Sequence, residues 1–290
     1  MIRGVLIAFA TYAVFSFSDA SLKAASGSLN VIQMSFMATI FSSIVVFFLK
    51  PRTEHWVDMV RMNRPGLVLL RAGAGIAATL LSAYGFTTLP LADAYSLLFL
   101  LPMFVALLSF LFLREKPGWA RSLAVLVGLA GVVLVVRPGF REIMPGHFAA
   151  MAAAFCGAVT ILILRVVNRT ERQVAIMGTL MAGMLIVSGV LTLFVFRPPT
   201  LMEVALLAFS GALAGLGHLG LMAATRHAPA SRVGPVQYSQ IVWAVILGAL
   251  FFSEFPDWIS VAGMALVCGS GLLTFFRDEV VQEPVGDLAR

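Results

Sequence analysis

The sequence predicts an all-α integral membrane protein: ten transmembrane helices arranged as two inverted five-helix repeats, with both termini in the cytoplasm. Three observations carry this expectation. First, the 290-residue chain is 60% hydrophobic and only 12% charged, with a mean hydropathy of +0.97. A soluble domain carries about 25% charged residues, so this much apolar surface cannot be hidden from water. Second, apolar stretches close to the ~20 residues needed to cross a bilayer recur along the whole chain. Third, residues 90–119 recur without a gap at 229–258. Pro90 falls on Pro229, Leu111 on Leu250, Phe112 on Phe251, Glu115 on Glu254, Pro117 on Pro256 and Trp119 on Trp258. Shared Leu and Phe mean little between two apolar spans. A matched Pro, Glu, Pro and Trp in one register marks a duplicated unit.

In order, spans are expected at 4–22, 31–49, 66–87, 92–113, 119–136, 146–165, 174–196, 203–224, 232–252 and 258–276. Met1-Ile2-Arg3 before an apolar run resembles a signal peptide. However, the run is long and contains Thr11, Tyr12 and Ser16. Its Gly4, Ala8, Ala10 and Leu22 recur in one register as Gly146, Ala150, Ala152 and Leu164. It reads as an uncleaved first helix. Most prolines fall in the joints, where a missing backbone donor does least harm. Pro102 is mid-span and must kink or weaken the fourth helix, while Pro235 lies in the first turn of the ninth.

Charge sets the orientation. The loops opposite the N-terminus hold only Lys23, Arg137, Arg141 and Arg197. Apart from Arg71, early in the third span, every other Lys and Arg lies on the N-terminal side. Cytoplasmic loops are enriched in Lys and Arg, so both termini are expected there. The net charge of +6 is thereby explained by membrane topology, and no nucleic-acid partner is expected. The linker Arg137–Pro145 divides the chain into a first repeat at 1–140 and a second at 141–277, with a cytoplasmic tail at 278–290. Five spans per repeat is an odd number, so the second repeat enters the membrane upside down. Cys156 and Cys268 sit inside apolar spans, and neither a disulfide nor a metal site is expected.

Polar groups inside a bilayer are costly, so each is a functional candidate. Near the midplane lie Tyr12, Thr79, His218, Gln237, Tyr238, Gln240 and Trp243, with Thr79 and His218 repeat-related. A Gln can donate to a carboxylate and accept from an ammonium. Phe99, Tyr238 and Trp243 offer walls for a ring or a cation. Such a pocket suits a zwitterion with an apolar side chain. Each candidate also has a structural reading: the aromatics fill the bundle or face lipid, the Gln pair bonds neighbouring helices, and His218 is neutral on a backbone carbonyl. Asp19 and Lys23, at i,i+4 near the outer end of the first helix, read as an interfacial ion pair. Arg71 either snorkels, closes an inner gate or attracts a carboxylate. Asp93 and Tyr95 either belong to an outer gate or cap the fourth helix. Glu115 and Glu254 read as structural stops held by loop amides or cations. Pro102 and the Gly234-Pro235 pair are hinge candidates.

At Leu70-Arg71, the tract Tyr84 to Pro102, the Glu115 stop, Gly128 and Gly131, and Gly234-Pro235-Val236-Gln237-Tyr238 through Glu254, the sequence resembles the EamA-type family of the drug/metabolite transporter superfamily. Within that family it resembles the YddG-type aromatic amino-acid exporters. The resemblance covers nearly the whole chain. It implies a cavity between the third, fourth, eighth and ninth helices, flanked by the first and sixth. It also implies a secondary transporter of the bacterial inner membrane, moving amino acids or related metabolites outward by alternating access. Its partners would be a small-molecule solute and membrane lipid. Drugs or nucleotide-like metabolites are the alternative cargo. An intramembrane enzyme or scaffold is the alternative class. The sequence contains no P-loop, Gly-x-Ser-x-Gly or His-Glu-x-x-His. No catalysis, ATPase subunit, cofactor or metal is therefore expected.

Overall fold

The structure is a computed structural model that describes residues 2–27, 29–49, 57, 61–113, 119–137, 142–167, 171–228 and 233–282. The described residues are almost wholly helical. Helix α1 (Ile2–Ala24) ends in a 3₁₀ turn at Ala25–Gly27. It is followed by α2 (Val31–Leu49), α3 (Pro65–Thr88), α4 (Leu91–Leu98), α5 (Leu101–Leu113), α6 (Trp119–Val136), α7 (Pro145–Val167), α8 (Gln173–Val195) and α9 (Leu201–His227). A 3₁₀ segment (Gly234–Tyr238) leads into α10 (Ser239–Phe252), and α11 (Trp258–Gln282) closes the chain. Among the described residues, seven helical stretches are long and apolar enough to cross a membrane, with α4 and α5 jointly forming one of them. Shorter apolar helices at Leu126–Val136, Val236–Phe252 and Trp258–Ser270 occupy the places of the expected fifth, ninth and tenth spans. Large apolar side chains point outward, among them Phe194 (81% exposed) and Leu250 (72%). Only a hydrocarbon surround makes that favourable, so this is a multi-pass membrane protein.

Side chains, local or from distant loops, satisfy several helix ends. Pro65 opens α3, and the Glu171 carboxylate accepts the Asn63 and Arg64 amides just before it, at 3.1 and 2.5 Å. Thr200 and Glu203 form a capping box on α9. Asp257 accepts the Ser260 amide at 2.9 Å at the start of α11 and pairs with Arg137. That capping bond, helped by Arg137, pulls the exposed carboxyl down to about 2. Ser253 takes a left-handed conformation (φ 55) and turns the chain at the end of α10.

Two spans are broken. In the fourth, Phe99 still donates to the Tyr95 carbonyl (2.9 Å), but Leu100 reaches back only to Leu97 (3.1 Å). Pro102 has no N–H to continue the ladder. The expected kink in a continuous 92–113 helix is thus a full interruption between α4 and α5. In the ninth, the expected span from 232 starts as the 3₁₀ segment, with Pro235 in its first turn, and becomes α-helical only at Ser239.

Helix α4 is the centre of the core. Every residue from Leu91 to Leu97 is buried, against Phe86 and Leu89 of α3, Val132 and Val135 of α6, Ala150 and Ala154 of α7, and Ala244 and Leu247 of α10. Around it, α1 packs along α9, α3 along α7, and α6 along α11. Helix α2 packs on α8 and α9, α3 on α8, α5 on α7 and α1 on α10. Glycine allows the closest approaches. A Cβ on Gly131 would stand 2.7 Å from the Gly263 carbonyl, and one on Gly263 would stand 2.6 Å from that of Gly131. Two polar straps join helices at opposite ends of the bundle. Buried Gln33 donates to the Arg197 carbonyl (2.6 Å) and accepts the Arg197 amide (3.0 Å). Arg71 donates to the Ile176 carbonyl at 3.0 Å.

Candidate functional site

A cavity of about 180 Å³ lies between α1, α2, α3, α8 and α9. It has room for about six waters at ~30 Å³ each. Its polar lining is largely hydroxyl: Ser18, Ser35, Thr39, Ser42, Thr79, Ser82 and Ser210. Asp19 is its one carboxylate and His218 its one imidazole among the described residues. Leu22, Phe86, Leu180, Met181 and Met184 form the apolar walls. Ser35, Thr39 and Ser42 stand at i, i+4 and i+7, so α2 presents them on one face. Several hydroxyls bond their own helix: Thr39 donates to the Ser35 carbonyl (2.7 Å) and Thr79 to that of Gly75 (2.9 Å). Ser18 instead donates across to the Ser210 carbonyl at 2.8 Å, joining α1 to α9. The buried Ser35 hydroxyl has no hydrogen-bond partner among the described residues.

One wall of the cavity connects to both broken spans. The Tyr95 hydroxyl donates to Asp19 Oδ2, and Gln240 Nε2 donates to the Tyr95 oxygen at 3.3 Å. Tyr95 is on α4, just ahead of the first break, and Gln240 opens α10, just after the second. The expected Asp19–Lys23 ion pair does not form. Lys23 turns away instead, donating to the Leu89 carbonyl (2.6 Å) and pairing with Glu254, with its ammonium 5.1 Å from the Phe252 ring centroid. Glu254 also accepts the Leu91 amide at 3.0 Å, capping α4. A local i,i+4 pair loses here to a partner that satisfies a helix terminus as well. Glu115, the repeat counterpart of Glu254, lies outside the described residues.

Of the sequence-predicted binding residues, Thr79 and His218 line the cavity together. This cavity differs from the enclosure expected between the third, fourth, eighth and ninth helices. The third (α3) and eighth (α9) do form walls, but α2 and α8 replace the fourth and ninth, and the first is a wall rather than a flank. The sixth (α7) contributes no lining. Phe99 and Tyr238 pack tilted against each other in the core, ring centroids 4.9 Å apart, continuing a row of rings from Phe86 through Tyr95. Tyr12 is buried with Ala8, Ala224, Ala228 and Val233. Gln237 is half-buried on the 3₁₀ segment and does not reach the lining. Trp243 sits against Phe9 (6.0 Å) and Phe17 (6.1 Å), two exposed rings of α1. Arg71 is buried rather than snorkelling. Asp93 is buried in the first turn of α4 and borders a recess of about 150 Å³ with Pro90, Ala244, Glu254 and Ser260. Pro102, Gly234 and Pro235 stand at the two helix breaks. Sequence reasoning missed the hydroxyl face of α2, although the 35, 39, 42 spacing was readable. The span holds no ionisable group to mark it.

Comparison with known proteins agrees with this architecture. The model of the EamA-like transporter family matches residues 2–137 and 144–276. The chain belongs to this family. The EamA-like transporter is 28% identical over 267 residues to the pseudopaline exporter CntI of Pseudomonas aeruginosa, covering 91% of this chain and 93% of that one. It is 25% identical over 273 residues to the S-adenosylmethionine uptake transporter of Rickettsia bellii, covering 91% and 90%. It is 29% identical over 218 residues to solute carrier family 35 member G1 of Mus musculus, covering 69% and 59%. A crystal structure superposes with a TM-score of 0.65 at 18% identity, covering 98% of this chain and all of that one, which shows the shared fold. Membership makes this a drug/metabolite transporter superfamily protein that moves small-molecule solutes through a membrane.

Because Trp243 packs on outward-facing rings, Trp243→Ala is expected to lower stability in detergent by about 1–2 kcal/mol. Its solute flux should stay within about twofold of wild type, since that indole borders neither of the two cavities described above. Gln240→Ala removes a donor from Tyr95 and should cut flux more than stability. Thermal unfolding and vesicle flux on both variants check this; equal flux losses would return Trp243 to the binding site.

Proposed function

We propose that this EamA-like transporter is a secondary transporter of the bacterial inner membrane that exports amino acids and related small metabolites by alternating access. It would do so as ten spans in two inverted five-helix repeats, residues 1–140 and 141–277, with both termini cytoplasmic. The observation that carries the reading is the small cavity, open to polar and apolar contact at once, with Asp19 and His218 on its lining. A hydroxyl-rich wall facing Met181, Met184 and Phe86 suits a small charged or zwitterionic solute with an apolar body. The aromatic walls expected on the ninth helix pack elsewhere, so an aromatic side chain rests on Phe86 alone.

The repeat supports alternating access. Exchange the halves and α1 on α9 becomes α7 on α3, α2 on α9 becomes α8 on α3, and α1 on α10 becomes α7 on α5; the pairs α2–α8 and α6–α11 map onto themselves. Each of these contacts is present. The two stretches matched by one family model meet at the linker. In this reading Lys23–Glu254, with Asp93 and Tyr95, closes one side and the Arg71 strap the other, while Pro102 and Gly234-Pro235 supply the bending points. The exporter relative favours outward movement.

A second reading, cargo that is nucleotide-like or drug-like, is favoured by the S-adenosylmethionine relatives. Ligand pockets for such molecules run to about 300–1,000 Å³, well above the 180 Å³ found. The first reading is therefore preferred. Purified protein in sealed vesicles decides between them, offered twenty labelled amino acids, S-adenosylmethionine and several drugs. Saturable amino-acid flux that an imposed pH gradient cannot drive uphill is expected, as for a facilitator. Flux of the larger solutes alone would overturn the cargo. Single cysteines replacing Glu171 and Asp257 are expected to label from opposite faces; labelling from one face would end the two-repeat arrangement.

A further inference from the structure

Asp19 is the unusual group in this cavity. It sits five residues inside the end of α1, about 8 Å along the helix axis. A carboxylate at that depth is expensive without a cation. The nearest Lys along its helix, Lys23, is committed to Glu254 and the Leu89 carbonyl, and the cavity lining holds neither Lys nor Arg among the described residues. The carboxylate is nevertheless held firmly. Tyr95 donates to Oδ2, and Gln240 holds the Tyr95 oxygen from the other side. That leaves Oδ1 for a ligand. A second group on the same lining points to a ligand as well: Ser35 is buried and its hydroxyl has no partner among the described residues. Buried polar atoms are normally satisfied. A carboxyl group held in one orientation, beside an orphan hydroxyl and on a lining that includes Met181, Met184 and Phe86, describes a receptor for one kind of molecule.

We infer that Asp19 binds an ammonium group of the solute, so that the transporter requires an amine-bearing molecule with an apolar body, and that Tyr95 is the residue that positions Asp19 for this. The inference rests on the cavity being the solute site proposed above. The amine is the obligatory group; a carboxylate on the solute is tolerated but not required. Asp19 supplies charge, and Tyr95 supplies aim by fixing which oxygen faces the cavity.

The test is binding to the full-length protein in detergent, read by calorimetry with three matched probes: leucine, 3-methylbutylamine (leucine without its carboxylate) and 4-methylpentanoate (leucine without its ammonium). Wild type is expected to bind the first two and not the third. Asp19→Asn should weaken amine binding at least tenfold, and Asp19→Glu should recover part of it. Tyr95→Phe should raise the Kd for the amine several-fold while the circular dichroism spectrum and unfolding temperature stay near wild type. Equal binding of 4-methylpentanoate, unchanged amine binding in Asp19→Asn, or no binding of either amine would overturn the inference. The vesicle flux panel separates this from the functional reading. Amino-acid flux indifferent to Asp19→Asn would leave the reading standing and remove Asp19. Amine binding without flux of any solute would do the reverse.

Discussion

Glu254→Ala is expected to cost about 3 kcal/mol of stability and to abolish tight closure at the end of the bundle where it lies. Two losses combine. Lys23 loses its partner in a site where only 11% of its side chain is exposed, and breaking one partner of a buried pair leaves the other uncompensated. The Leu91 amide at the start of α4 loses its acceptor too, and α4 is the most buried helix in the fold. Unfolding followed by tryptophan fluorescence or differential scanning gives the size. The double variant Lys23→Met/Glu254→Gln removes both charges and should recover more than half the loss, because a neutral pair needs no compensation. Lys23→Met/Glu254→Ala removes both charges and the acceptor for the Leu91 amide as well; if it is as unstable as Glu254→Ala, the capping of α4, not the ion pair, carries the effect.

Gly211→Leu is the second large expectation. A Cβ at this position would overlap the Ala38 carbonyl and approach the Phe41 Cβ to 2.8 Å. The obstacle is backbone, so α2 must move away from α9. Overpacking of this kind costs about 1–3 kcal/mol. It also displaces Ala38, Thr39 and Ser42, which line the cavity. Flux should fall at least tenfold even in protein that still folds, because the hydroxyl face no longer meets the solute. Gly73→Leu is the control: nothing lies within 4 Å of a Cβ there, and both yield and flux should match wild type. Normal flux in Gly211→Leu would show that the α2–α9 contact does not shape the site.

Much of this fold was legible in the chain because the bilayer simplifies the problem. Apolar stretches of the right length must be helices, and the Pro, Glu and Trp punctuation of the repeat set their ends to within a few residues. The pairing of helices was not legible, since any apolar face fits another until small residues such as Gly131 and Gly263 decide the approach. The site suffered most from this. Trp243 and Gln240 are three residues apart, yet one packs on the rings of α1 and the other bonds Tyr95. Depth along a helix was readable, but the side it faces was not. Asp19 and Lys23 illustrate the same limit: their spacing allowed a local pair, and partners from distant loops and helices out-competed it.

The Gln33–Arg197 strap has a mechanical consequence. Two hydrogen bonds clamp the start of α2 to the residues just past α8, while Gly211 and Gly215 press α9 against the backbone of the same α2. In the alternating-access cycle proposed above, those three helices would pivot as one stiff lever, with the bending absorbed by the interrupted segments at Phe99–Leu100 and Gly234–Tyr238.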